Sequence, residues 1–528
     1  MSLAFILLIT AFPLLSRAFA SKSFPNGGSR PAIVPSTIPL LSHTWTFVLG
    51  GSKMAAAFLQ TSMTDGAIRF KGIGFDMTVL SGPKLIRKAL ISPQDLHMNI
   101  ISANAMGNLF GAPKALCDAI ITDNSGNAAK PIPGTQVPLG RRFARNQGIF
   151  FKEAFAKRSL DEIIPRFTRN LYDQCELLHV GTDWVEMDNL FDFVHCLVFP
   201  SAVKSFFGDT MLQVNPNLLP DFRAFEDQLP FLAMGLPVWM KPQAQRARTK
   251  CLDAMKRWRQ EATKTEEPLV SSDQLWDSAW GLGAIRRFRY LFKDTDGIFG
   301  EDAWAATDLA YVWAFTSNVI PASFWYLFET VSRDSLLQSA KEQVSTSKTS
   351  AGILQAGELA KNPLLQSIYA ETLRLHTASL LTRTSKRDHK IDSWIIPKDQ
   401  YVMVATQVEH RSPYWNTVDP ETGSRHSPYS FYPERFLTKD EDGNVEFSME
   451  GKQGRWLPYG MGEHMCPGRH FAKYEMLLVF AVIVDVFDIE LMTPTGWKPE
   501  DDMSRYGLGA TRPKQEVKFR IRQRASSL

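Results

Sequence analysis

Cysteine is scarce in this chain. There are five among 528 residues, at positions 117, 175, 196, 251 and 466, odd in number and far apart. That spacing excludes a disulfide framework, and no CxxC pair or Cys/His zinc pattern is present. No Asn-x-Ser/Thr acceptor occurs either, in keeping with a reducing compartment for the folded part. An excess of one charge is also missing: 59 basic and 55 acidic residues leave a formal net charge of +4. A near-neutral chain without a basic tail or stripe argues against nucleic acid as a partner. The local basic clusters, Arg286-Arg287-Phe288-Arg289 and Lys386-Arg387, read as solvated surface. The sequence has no internal repeat and no low-complexity tract.

Long apolar runs are missing too, with one exception. Leu3 to Leu15 is interrupted only by Thr10, and Ser16-Arg17 precedes Ala18-Phe19-Ala20. A cleaved signal peptide would explain the small-x-small triplet. A short membrane anchor, with Arg17 snorkelling and Lys22 and Arg30 keeping the following chain in the cytosol, is favoured because no charge precedes the apolar run. Residues 21–41 carry Pro25, Gly27, Gly28, Pro31, Pro35 and Pro39 and read as a stiff hinge. The expected organisation is an anchor over 1–20, a Pro/Gly hinge over 21–41 and one large domain over 42–528.

Material for a large core is abundant: 44% of residues are hydrophobic and 11% aromatic. Residues 67–80 read as a two-strand ribbon with glycine punctuation, followed by a helix from Pro83 to Leu90. The Gly, Pro and Asn content from Asn104 to Pro138 predicts a long irregular loop, suited to a substrate-facing lid. Helical patterns dominate from Arg141 to Ala202, and Trp239–Trp258 is basic and amphipathic. Trp304 to Val331 is too long and apolar for a surface helix and should cross the core. Leu364–Leu375 is a further helix, and Trp394–Pro397 and Tyr401–Val404 are expected as strands around a turn. The fold class is mainly α with a minor β-sheet.

One cysteine stands apart. Tyr459-Gly460-Met461-Gly462-Glu463-His464-Met465-Cys466-Pro467-Gly468 is a glycine-bordered loop that leads into an apolar helix running to about Val486. Pro467 suits the first helical position, which would put Cys466 among unpaired N–H groups at the positive end of the dipole. That environment favours a thiolate. Gly460, Gly462 and Gly468 would let the backbone pass close to something flat and bulky. A lone, tuned thiolate is what a haem iron requires of an axial cysteine. A cysteine in such a joint is, however, more often a small buried residue.

The stretch Pro458–Gly468 resembles the haem-binding loop of the cytochrome P450 superfamily: an aromatic, two residues, Gly, three residues, Cys, one residue, Gly. Tyr459 replaces the usual Phe, and His464 stands where a basic residue, commonly Arg, meets a haem propionate. Glu371-Thr372-Leu373-Arg374 sets a carboxylate and a guanidinium on one helix face, a common pattern worth little when exposed. Followed by Arg435 within Phe431–Phe436, it resembles the family's Glu-Arg-Arg triad, which implies that Glu371, Arg374 and Arg435 hold the scaffold of the cysteine loop. Arg383 matches a propionate-binding position. Arg142 and Arg145 fall where a helix meets the other propionate, although the family's Trp-x-x-x-Arg is not evident.

The long apolar segment contains Trp313-Ala314-Phe315-Thr316-Ser317-Asn318-Val319-Ile320-Pro321-Ala322-Ser323-Phe324-Trp325. Pro321 cannot donate to the carbonyl of Ser317, so the helix is expected to bend near Ser317–Asn318 and open a polar groove. A plain proline kink in a core helix is the alternative. Most members of the superfamily carry an acid and a threonine here, which relay protons; this chain has Ser317 and Asn318. Asn318 can donate or accept a hydrogen bond but is no acid, so protons would arrive by water, through Ser317. The pattern is similar to a branch containing sterol hydroxylases and prostacyclin synthase, in which both hydroxylation and oxygen-free isomerisation occur.

The resemblance implies a P450 fold with an N-terminal membrane anchor, haem (iron protoporphyrin IX) on Cys466 and a haem-thiolate catalytic domain over 42–528. It implies electrons from NADPH through NADPH–cytochrome P450 reductase, and a bulky hydrophobic substrate such as a terpenoid, sterol or alkaloid. It places the chain on the endoplasmic reticulum membrane with its catalytic domain in the cytosol, in secondary metabolism of fungal type. Two rivals stay open: an isomerase or dehydratase that takes a peroxide or oxygenated substrate without a reductase, and a non-enzymatic haem carrier or sensor.

Overall fold

The computed structural model describes residues 29–524 except 37, 39–40, 49, 62–65, 92–94, 265–273 and 293–296. The proposed anchor over 1–20 and most of the Pro/Gly hinge lie outside the described residues. Helices dominate, with a smaller sheet beside them.

The interior is built from apolar helices. Helix α1 (Lys157–Glu176) buries a stripe of Ser159, Ile163, Phe167, Leu171 and Cys175, the four-residue spacing of one helix face. Helix α2 (Leu190–Phe207) is strongly apolar and buried except along the narrow face of Asp192, Cys196, Pro200 and Lys204. It is the described helix long and apolar enough to cross a membrane, yet 83% of it is covered by protein, so it is a core helix. Helix α3 (Leu218–Glu226) lies over the molecule's interior with Phe222, Phe225 and Glu226 buried. Helix α4 (Glu301–Thr316), which opens with two acids at its positive end, and α5 (Val319–Val331) form the expected core-crossing pair. Helices α6 (Pro363–His376) and α7 (Arg469–Val486) complete the core. Ring contacts show the interlock: Phe206 of α2 stacks on Phe315 of α4 at 4.3 Å and meets Phe471 of α7 edge-on at 5.0 Å.

The main sheet comprises β1 (Gly66–Gly72), β2 (Phe75–Ser81), β3 (Thr377–Ser385), β4 (Tyr401–Ala405) and β5 (Leu508–Ala510). Their order across the sheet is β1-β2-β4-β3-β5, with the two-residue strand Ala32–Ile33 outside β1 and a seventh, Leu96–His97, pairing with the end of β3. The predicted ribbon is β1 and β2, paired antiparallel from Gly66↔Ser81 to Gly72↔Phe75.

Two expectations are corrected. The region 104–138 is not one loop, because helices Asn99–Asn108 and Lys114–Thr122 occupy its first half. Leu116 and Ile120, four residues apart, bury one face of the second helix, and this packing outweighs the surrounding Gly, Pro and Asn. Trp394–Ile396 and Tyr401–Ala405 are both strands but do not pair with each other. The first pairs with His389–Ile391, and the second joins β2 and β3 in the main sheet.

Candidate active site

The cysteine loop folds on itself before the helix begins. The Cys466 N–H donates to the Tyr459 carbonyl at 2.9 Å, and a single helical turn spans Gly462–His464. Gly460 and Gly462 take positive φ, +73° and +74°, where a side chain would be strained. A Cβ on Gly462 would lie 2.1 Å from the Leu90 carbonyl oxygen, and one on Gly468 would lie 3.0 Å from the Phe155 ring. At those two positions protein supplies the crowding that the sequence assigned to a flat ligand.

Helix α7 starts at Arg469 with Gly468 as its N-cap, so Pro467 sits in the preceding turn and not at the first helical position. Cys466 is therefore one step further from the dipole than expected. Burial pushes its thiol up, while the N–H groups of Gly468 and Arg469 and the Arg469 guanidinium pull the other way without prevailing. The pocket alone does not make the thiolate; a coordinating metal deprotonates a thiol outright.

The hydroxyl of Tyr459 needs a partner in the core and meets the Tyr369 hydroxyl of α6 at 2.8 Å. Trp456, three residues earlier, donates its indole N–H to the Ala370 carbonyl at 2.9 Å. The loop is thus pinned to α6 at its entry.

The same helix carries Glu371 and Arg374, which are fully buried, and Arg435 comes in beside them. Glu371 accepts two bonds from Arg374, 2.6 and 2.8 Å, one from Arg435 at 2.7 Å and one from the Tyr432 backbone at 2.9 Å. The remaining guanidinium N–H groups are satisfied by backbone carbonyls: His410 and Pro428 for Arg374, Trp415, His426 and Ser427 for Arg435. A buried triad whose donors are this fully used is rigid. It clamps the irregular chain between residues 410 and 435 to α6, and His410 extends the clamp by accepting the Leu457 N–H at 2.8 Å, on the way to Cys466.

Above the loop, Arg383, Lys386, His97 and His464 gather, with Glu463 facing Arg383. Arg383 on β3 is buried, donates to the Thr382 carbonyl at 2.9 Å, and is pushed down to about 10 by burial against the pull of Glu463. Burial, together with Arg383, Lys386 and His97, holds His464 down at about 4. His97 is itself lowered by burial and by Lys386. Glu463, the acid closest in sequence, accepts from Asn127 at 2.7 Å. The buried Arg383 guanidinium and the ring N–H of His464, beside the half-buried Cys466 thiol, fit a ligand that brings carboxylates, as haem does with its two propionates. Arg145 donates through Nη1 to Asn146 Oδ1 at 3.2 Å, and its buried Nε has no hydrogen-bond partner among the described residues. Arg142 is engaged elsewhere: Ser125 Oγ and the carbonyls of Gly126, Ala128 and Ala129 consume its donors, so it holds the loop after Thr122.

The core-crossing helix breaks where proline requires it. Helix α4 ends at Thr316, α5 begins at Val319, and Ser317 and Asn318 form the joint. Neither side chain is loose. Asn318 Oδ1 accepts the Ala510 N–H of β5 at 2.9 Å. A backbone N–H can face only the amide oxygen, so this bond fixes which way the amide points and leaves its NH2 as a donor. Ser317 Oγ donates to the buried carboxylate of Glu226 on α3.

Each of these parts belongs to one pattern, and a family model decides it: the model described as Cytochrome P450 matches residues 144–519. The chain is a cytochrome P450. A relative, the cytochrome P450 monooxygenase efuG of Hormonema carpetanum, is 30% identical over 98% of this chain and 94% of its own. The cytochrome P450 monooxygenase fsoE of Humicola fuscoatra is 28% identical over 96% of this chain and 90% of its own. Cholesterol 7-alpha-monooxygenase of Cricetulus griseus is 29% identical over 64% of this chain and 66% of its own. This P450 is accordingly a monooxygenase with haem as its cofactor.

Sequence reasoning missed the polar groups that reach this P450's helix joint from elsewhere. Glu226, Arg505 and Arg512 carry no local motif, and their partners lie far off in the chain. It also missed His376, two residues after Arg374. That imidazole lies between Asp501 at 2.8 Å and Glu329 at 3.1 Å and stacks on Trp325 at 3.7 Å. Its place at the end of the Glu371-x-x-Arg374 helix was the only available signal.

Proposed function

We propose that this P450 inserts one oxygen atom from dioxygen into a bulky apolar small molecule, a terpenoid, sterol or alkaloid, in secondary-metabolite biosynthesis. Electrons come from NADPH through cytochrome P450 reductase. Residues 1–20 anchor the enzyme in the endoplasmic reticulum membrane, residues 21–41 are the hinge, and the 42–528 domain works in the cytosol. The observation that carries the reading is the half-buried Cys466 thiol, two residues from His464 and the buried Arg383 that acts on it, with a proline-broken helix in the same core. The fungal monooxygenases support the setting, and the relative named for cholesterol supports a polycyclic substrate.

Haem, when bound, supplies the activation of dioxygen. Cys466 would hold the iron through Sγ, with Tyr459 and Gly468 shaping the loop around it. Arg383 and His464, joined by Arg145, would take the propionates. Glu371, Arg374 and Arg435 keep the loop's base from shifting. Asn318 presents its amide N–H groups at the helix joint and Ser317 its hydroxyl, where each can orient a water or a substrate oxygen.

The test is reconstitution with reductase in phospholipid vesicles, with cholesterol and a panel of polycyclic terpenoids offered under isotopically labelled dioxygen. Products should carry one labelled oxygen and require NADPH and reductase. Conversion of a peroxide substrate with neither present would favour the isomerase.

A further inference from the structure

The helix joint at Ser317–Asn318 has no acid of its own. We propose that Glu226, at the end of α3, is the carboxylate of a proton path that enters the joint through the Ser317 hydroxyl. This rests on the haem-monooxygenase reading above.

Glu226 is 1% exposed and Ser317 is 4% exposed, so their contact is sealed from solvent. Glu226 Oε1 accepts from Ser317 and Oε2 from Arg512. Arg505 Nη2 stands 3.7 Å from Oε1, and its Nη1 donates to the Glu226 carbonyl at 2.8 Å. His195 of α2 brings Nε2 to 3.9 Å of Oε2. The outer arm of Arg512 donates to Asp227 at 2.9 Å, and Asp227 is exposed. Arg512 thus bridges Glu226 and the exposed Asp227; a guanidinium cannot pass a proton, so the path needs a water, admitted to Glu226 Oε2 as Arg512 swings out onto Asp227.

The chemistry of these groups matches a relay. A serine hydroxyl gives and takes protons, whereas the amide of Asn318 does neither. Burial alone would raise the Glu226 carboxyl, but Arg512, His195 and Arg505 override it and hold the group down at about 2. It rests as a carboxylate and, once protonated, is a strong donor. Glu226 takes up a solvent proton delivered by that water and passes it to Ser317 Oγ as Ser317 turns its own proton toward an acceptor at the joint. The carboxylate is restored, Ser317 keeps one proton, and the net change is one proton moved inward from water. An ion pair serving only to tie α3 to the C-terminal segment would be complete with Arg505 and Arg512 and would have no use for a buried hydroxyl.

Two small probes separate relay from structure. Hydrogen cyanide must shed its proton when it binds the ferric haem protein, and carbon monoxide bound to the ferrous protein carries none. Association of both is measured by stopped flow for the parent, Glu226→Gln, Ser317→Ala, Ser317→Thr and the Gln/Ala double variant. The relay predicts cyanide association slowed at least about tenfold in Glu226→Gln and in Ser317→Ala. It predicts no further slowing in the double variant and near-parent rates in Ser317→Thr, with carbon monoxide association unchanged throughout. Parent-like cyanide rates in Glu226→Gln, or equal slowing of both probes, would overturn it. Absence of a Soret band in the parent would instead sink the haem assignment on which the relay rests.

Discussion

At the scale of single residues, two side chains give sharp outcomes. Cys466→Ser should fold, because the loop is held by backbone bonds and glycines and not by the sulfur. It should lose the long-wavelength carbon-monoxide band that marks thiolate-ligated ferrous haem. An unchanged band would remove Cys466 as the ligand. Gly509 adopts φ +127°, and a Cβ there would lie 1.9 Å from Asn318 Oδ1. Gly509→Ala should therefore cost on the order of 1–3 kcal/mol of stability, read by denaturant unfolding. Asn318→Ala added to it should recover part of that loss, since the clash partner is gone. Cys466, Glu371 and Arg374 were legible in the sequence because their signals are compact: a loop of ten residues and one helical turn. Glu226 was not, because its contact with Ser317 spans 91 positions and exists only once α3 and α4 have packed.

At the scale of elements, the clamp on α6 decides how firmly the cysteine loop is presented. Glu371→Gln leaves two buried guanidinium groups around a neutral amide, and Arg435→Ala leaves Glu371 short of a partner. Removing one member of a buried charged set costs roughly 3–5 kcal/mol. Both variants should lower the unfolding midpoint and haem retention together, measured by chemical denaturation and by the Soret-to-protein absorbance ratio. Retention unchanged with stability lost would separate the clamp from the loop. Elements with strong periodicity, such as α5, α6 and the β1–β2 ribbon, were readable from the chain. The break between α4 and α5 was readable too, because Pro321 removes one identifiable donor. The partner of Trp394–Ile396 was not, since sheet order is settled by contacts distant in sequence, and the helix Lys114–Thr122 was masked by the turn formers around it.

At the scale of the whole molecule, buried histidines set the response to acid. His410 is fully buried, accepts the Leu457 N–H and is held down at about 3 by burial and by Arg374 and Arg411. Between its ordinary value of 6.5 and about 3, the unfolded chain binds a proton that the folded chain refuses. Stability therefore falls as pH falls through that window, by about 2 kcal/mol from pH 6.5 to about pH 5. His376 acts with the opposite sign: burial opposes its charge, but Asp501 and Glu329 raise it, so its contribution fades only as pH rises above neutral. Unfolding midpoints should thus decline from pH 6.5 to 5, and a flat profile would count against a neutral buried His410.

Helix α2 has a consequence for how this chain is made. A ribosome delivers Leu190–Phe207 well before Phe471 and Phe519, the rings that cover Phe206 and Phe193 at 5.0 and 5.2 Å. Until that late cover is synthesised, the apolar faces of the stretch stand open. Chains truncated before Arg469 should therefore partition into membranes through this segment, resisting alkaline extraction even when residues 1–20 are deleted, whereas the full-length deletion should be released.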